Sequence, residues 1–178
     1  MNSQIHFLLG GSRSGKSRRA EELAIQSRLP VSYVATWLIQ FDDAEMEARV
    51  QTHRNRRPPE WQTVENRTDL ANILRENAGR CVLLDCLTLW LGARMSATQT
   101  EANILNEWTS ILQVARESLP LFLIVSNEVG CGVVPESSAG RAFRDLAGRA
   151  NQATAAEAER VELLVAGIPL PVKGKTAS

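Results

Sequence analysis

Eight consecutive residues, Gly10-Gly11-Ser12-Arg13-Ser14-Gly15-Lys16-Ser17, constrain this chain more than any other stretch. A glycine, four open positions and then Gly-Lys-Ser is the pattern of a loop that wraps a phosphate group. The glycines let the backbone curl, so that several N–H groups aim at phosphate oxygens. The helix that follows adds the positive end of its dipole. Lys16 supplies an ammonium for β- and γ-phosphates, and Ser17 a hydroxyl for Mg²⁺. Residues 5–9 form a short apolar run and residues 16–28 a polar run with helical spacing. Strand, loop, helix is the context that the motif requires.

The rest of the chain repeats that alternation. Strand-like runs at 31–35, 61–64, 81–84, 121–125 and 161–166 are interleaved with helix-periodic stretches at 42–56, 70–76, 87–94, 100–118 and 141–160. Pro30 stops the first helix and Pro58-Pro59 the charged segment 42–56. This order predicts an α/β fold, P-loop NTPase-like, with a mostly parallel sheet flanked by helices. With no internal repeat or interdomain linker, the 178 residues predict one nucleotide-binding domain over 1–178. Only 173–178 read as a frayed tail.

Twenty basic and twenty acidic residues leave a formal net charge of zero, so charge makes no case for a nucleic-acid or acidic-membrane partner. No run approaches the ~18 apolar residues of a membrane span. The N-terminal stretch lacks the pattern of a secretory signal, so a cytoplasmic location is expected. Three cysteines without paired spacing are neither a disulfide framework nor a zinc signature, and Cys81 and Cys86 read as small core residues.

Two further places carry chemistry. Asp85 ends an apolar strand, where a carboxylate holds Mg²⁺ directly or through water; the same residue also suits a helix cap. Glu45, Arg49 and His53 recur every four residues, so a helix would put them on one face, with Arg54, Arg56 and Arg57 close behind. A histidine beside three arginines fits a nucleophile or acid–base group working on polyphosphate. It equally fits a solvated basic helix end, which composition alone favours. His6 reads as a packed or edge residue of the first strand. The chain contains no Asn-Lys-x-Asp guanine-reading motif, and its small size with an N-terminal phosphate loop points to a small-molecule kinase.

Several stretches together resemble the bifunctional adenosylcobinamide kinase/adenosylcobinamide-phosphate guanylyltransferase family of cobalamin biosynthesis. They are the phosphate loop through Arg18, Tyr33-Val34-Ala35-Thr36, Glu45 to Val50 leading to His53, and Arg57-Pro58 with Trp61. The resemblance continues in Leu83-Leu84-Asp85-Cys86-Leu87-Thr88, Asn127-Glu128-Val129-Gly130, Gly132-Val133-Val134-Pro135, Phe143-Arg144-Asp145, Ala147-Gly148-Arg149 and Asn151-Gln152. The phosphate loop is common to many kinases; the histidine segment and the Asn-Glu-Val-Gly stretch are far more specific.

The resemblance implies two activities: phosphorylation of adenosylcobinamide with ATP or GTP, then transfer of GMP from GTP onto that phosphate. It implies that His53 is the nucleophile that carries GMP, with Lys16 as the other catalytic residue. It implies nucleotide contacts at Gly10 to Ser17, at Ala35, Thr36 and Trp37, at Arg54, Asn55, Arg56 and Arg57, and at Glu65 and Asp85. Ser17 and Asp85 would hold Mg²⁺. Two departures stand out: Trp37 replaces a smaller residue, and Asp85 stands where glutamate also occurs. The partners implied are nucleotides and a corrinoid, in a homo-oligomer with a trimer as the expected form. The rival readings are a small-molecule kinase without guanylyl transfer and a nucleotide-binding regulatory module.

Overall fold

A computed structural model describes residues 3–36, 54, 57–95 and 99–174. In chain order its elements are β1 (Gln4–Gly10), α1 (Lys16–Ser27), β2 (Val31–Ala35), β3 (Gln62–Val64), α2 (Leu70–Glu76), β4 (Cys81–Asp85) and α3 (Leu87–Met95). They continue with α4 (Glu101–Ser118), β5 (Leu121–Asn127), α5 (Ser138–Glu157), β6 (Arg160–Val165) and β7 (Ile168–Lys173). The strands form one sheet in the order β3-β2-β4-β5-β1-β6-β7. Every pairing is parallel except β6 with β7. This is the expected mostly parallel α/β architecture.

The apolar runs are continuous because both faces of the sheet are covered. Side chains alternate across a strand. In β1, Leu8 joins Ala20, Leu23, Tyr33, Leu83 and Leu123 on the α1 side. Ile5 and Phe7 face the other layer, with Trp90, Trp108 and Leu146 of α3, α4 and α5. There the Trp90 and Trp108 rings meet at 5.5 Å, and Trp108 Nε1 donates to Thr154 Oγ1 at 2.9 Å. The buried indole N–H is thereby satisfied. Cys81 and Cys86 are buried, as core residues should be.

Several expected bounds need correction. Helix α5 starts at Ser138, not at 141, because the Ser137 side chain caps it by accepting from Gly140 N. It stops at Glu157, and residue 160 already opens β6. The strand read as 161–166 ends at Val165; Ala166 and Gly167 turn at φ 51° and 83° into a further strand, β7. Pro169 and Pro171 hide that strand in the sequence, but on an edge a missing N–H costs no ladder bond. His6 sits on an interior strand, since β1 lies between β5 and β6. It is half-buried beside its register partner Arg160. The segment 42–56 read as helical lies outside the described residues apart from Arg54.

Candidate active site

A parallel sheet sends its strand ends and the loops after them to one edge, and ligands gather there. The loop after β1 packs so closely that a Cβ on Gly10 would meet the Leu164 carbonyl oxygen at 2.5 Å. Gly15 opens α1 at φ 97°, a conformation that favours glycine. The β6–β7 turn grips the loop from the other side: Gly167 N–H donates to the Ser14 carbonyl at 2.9 Å.

Lys16 folds back over this loop, and its Nζ donates to the Gly11 carbonyl at 2.6 Å. Burial lowers its pKa, while Cys86 and Asp85 nearby act the other way. The ammonium thus belongs to the same site as Asp85. That carboxylate ends β4 and accepts the Tyr33 hydroxyl at Oδ2 across 2.5 Å. Burial, with Asp85 as the next cause, pushes the Tyr33 phenol well above its ordinary range. Its proton therefore stays on the phenol and fixes the carboxylate's orientation.

Over the same cleft, Arg57 lies 3.8 Å above the centre of the Tyr33 ring, and Trp61 stacks on that ring at 6.5 Å. Arg57 Nη1 pairs with Glu65 Oε1 at 3.0 Å. Arg54 pairs with the same carboxylate through Nε at 3.1 Å and through Nη2. The Arg54 hydrogen bond is the main cause that holds the Glu65 carboxyl below its usual range. Two arginines on one carboxylate leave the cluster with net positive charge, as an anion site requires.

These groups enclose a cavity of about 1010 Å³. Of the residues expected from the sequence, it is lined by Ser12 to Ser17, Ala35, Arg54, Arg57, Glu65 and Asp85. Gly10 and Gly11 shape the loop behind it. Thr36 lies one layer back, buried, where its hydroxyl donates to the Cys86 carbonyl at 2.7 Å. The expectations at Trp37, His53, Asn55 and Arg56 lie outside the described residues. The Ser17 hydroxyl and Asp85 carboxylate bring hard oxygen donors to one cavity, a donor set that fits Mg²⁺.

Sequence reasoning assigned no role to several residues that line the cavity. Asn127 ends β5 just as Asp85 ends β4, with Glu128 and Val129 directly after it, and the signal is the same: an apolar strand that closes on polar residues. Ala166 and Gly167 reach the cavity from a hairpin that the prolines concealed.

Comparison with known proteins is consistent with this geometry. The family model described as cobinamide kinase / cobinamide phosphate guanyltransferase matches residues 6–172. The bifunctional adenosylcobalamin biosynthesis protein CobP of Pseudomonas aeruginosa is 46% identical over 171 residues, covering 95% of this chain and 97% of the relative. The bifunctional adenosylcobalamin biosynthesis protein CobU of Escherichia coli is 39% identical over 181 residues, covering 94% and 98%. Among solved structures, an ATPase from a bacterial type III secretion system aligns with a TM-score of 0.58 at 11% identity. That alignment covers 91% of this chain but 51% of the ATPase, so the chain spans about half its length. The RadB recombinase aligns with a TM-score of 0.51 at 13% identity, covering 91% and 74%. These two likenesses speak to the P-loop NTPase-like fold alone. The family match runs from within β1, ahead of the phosphate loop, into the β7 hairpin that grips the loop, so the chain belongs to the cobinamide kinase / cobinamide phosphate guanyltransferase family.

Proposed function

We propose that this chain is a bifunctional enzyme of cobalamin biosynthesis that phosphorylates adenosylcobinamide with ATP or GTP and then guanylylates the product. One observation carries the reading: the phosphate loop, Asp85 and the Arg54–Glu65–Arg57 cluster face a single cavity. Family membership names the substrate class.

In the first reaction the loop N–H groups and Lys16 hold the nucleotide's phosphates. Ser17 and Asp85 would hold Mg²⁺, which neutralises charge on the β- and γ-phosphates. An acceptor oxygen bonds to the γ-phosphorus, and the nucleoside diphosphate leaves. In the second reaction His53 attacks the α-phosphorus of GTP and pyrophosphate departs. The acceptor phosphate then displaces His53, giving adenosyl-GDP-cobinamide. Splitting the transfer in two lowers each barrier. The imidazole must be neutral to attack, which the positive charge of the arginines that follow it in sequence favours. Arg54, the chain neighbour of His53, lines the cavity, and this supports the assignment. Arg54 and Arg57 offset the charge that develops on the polyphosphate.

The working form is a homo-oligomer, a trimer, in the cytoplasm. Among the described residues no helix is long and apolar enough to cross a membrane. The test is to supply ATP, GTP, Mg²⁺ and adenosylcobinamide and to follow the corrinoid by mass spectrometry. Successive formation of the phosphate and the GDP conjugate is expected; phosphate alone would leave a kinase without guanylyl transfer.

A further inference from the structure

Transfer of a phosphoryl group to an alcohol needs a residue that receives the hydroxyl proton. Three carboxylates line the described cavity: Glu65, Asp85 and Glu128. Glu65 is held by Arg54 and Arg57. Asp85 takes the Tyr33 hydroxyl on one oxygen and faces Lys16. Glu128 makes no ion pair among the described residues, yet its backbone is joined to the phosphate loop. Its N–H donates to the Gly10 carbonyl at 3.0 Å, one step beyond the register pair of Gly10 with Asn127. The side chain is also tethered, because Oε1 accepts Gly130 N–H at 2.6 Å. Among the described residues Oε2 accepts no hydrogen bond.

We propose that Glu128 is the catalytic base of the phosphoryl transfer, taking the proton of the acceptor hydroxyl. The proposal rests on the kinase half of the function given above. The acceptor oxygen forms a bond to the γ-phosphorus. The bond from that phosphorus to the β,γ-bridging oxygen breaks, and the nucleoside diphosphate leaves with its electron pair. The hydroxyl proton passes to Glu128 and from there to solvent. The tether sets the direction of the carboxylate, since a Cβ on Gly130 would meet Glu128 Oε1 at 2.8 Å. A side chain at position 130 would push the carboxylate aside from the place where the Gly130 N–H holds it.

The experiment compares ATP-dependent phosphorylation of adenosylcobinamide by the full-length wild-type chain, Glu128→Gln and Gly130→Ala, with ATP affinity measured by calorimetry. Glu128→Gln should lower kcat by about 10²–10⁴-fold with ATP affinity unchanged. Gly130→Ala keeps the carboxylate but displaces it, and kcat should fall by up to about 10²-fold, again without loss of ATP binding. Wild-type turnover by Glu128→Gln would overturn the proposal. So would a parallel loss of ATP affinity in both variants, because Glu128 would then be holding the loop. If the wild-type chain binds ATP but never phosphorylates the corrinoid, the kinase reading fails first and the base falls with it.

Discussion

The Tyr33 hydroxyl donates to Asp85 Oδ2 across 2.5 Å, so a buried phenol on β2 sets the direction of the carboxylate that ends β4. The two strands are register partners: Tyr33 lies opposite Leu83, and Asp85 is two residues further along. On the proposed function Asp85 would hold Mg²⁺, and a group that orients a metal ligand tunes the metal's affinity. Tyr33→Phe should therefore raise the Mg²⁺ concentration needed for half-maximal kinase activity by about tenfold. Thermal stability should change little, because cavity water can replace the lost donor, and the expected cost is about 1 kcal/mol. A Mg²⁺ titration of both forms checks this.

Lys16 is nearly buried and rests on the Gly11 carbonyl. Its removal takes a charge out of a partly dry site, so the fold should tolerate it. Nucleotide binding should not. Lys16→Ala should weaken ATP affinity by about 10- to 100-fold, the equivalent of ~1.5–3 kcal/mol for one charged hydrogen bond. Calorimetry with ATP, alongside a melting curve, separates the two effects.

Stability should fail in acid through Glu162. This carboxylate is 1% exposed and is held by Arg19 at 2.9 Å and by Arg160. Burial pushes its pKa up, but the hydrogen bonds from Arg19 and Arg160 outweigh it and hold the group below its ordinary range. A carboxyl depressed in the folded state contributes stability above its unfolded pKa and loses it as pH falls through the folded value. The loss should begin near pH ~4 and grow below it. Glu162→Gln leaves two arginines facing a neutral amide and should cost about 3–5 kcal/mol. Denaturant melts across the acid range measure both.

Thiol chemistry should be confined to one cysteine. Burial pushes the Cys86 thiol up to about 11 and the Cys81 thiol up to about 12. Cys131 is exposed. A thiol-alkylating reagent at neutral pH should add once to the native protein, on the peptide with Cys131, and three times after denaturation. Counting adducts by mass spectrometry decides it.

Much of this molecule is readable in the chain because its signals are local. A strand that is buried on both faces is written as an unbroken apolar run, as in residues 81–84, and a phosphate loop is written as contiguous residues. What stayed hidden depends on distant partners. β7 carries two prolines that argue against a strand until its edge position is known. The Tyr33–Asp85 bond joins residues 52 apart. Glu128 gains meaning only when β5 is seen next to β1. Thr36 is adjacent in sequence to a cavity residue, yet its hydroxyl is spent on the Cys86 backbone, which only the register of β2 with β4 explains.

On the proposed function the enzyme carries out guanylyl transfer through His53 as well as phosphorylation. Incubation of the pure protein with Mg²⁺ and GTP, followed by intact-mass spectrometry and peptide mapping, tests it directly. A single GMP adduct is expected on the peptide that carries His53, absent from His53→Ala. An unmodified mass, with nucleotide still bound, would contradict it and leave a kinase alone.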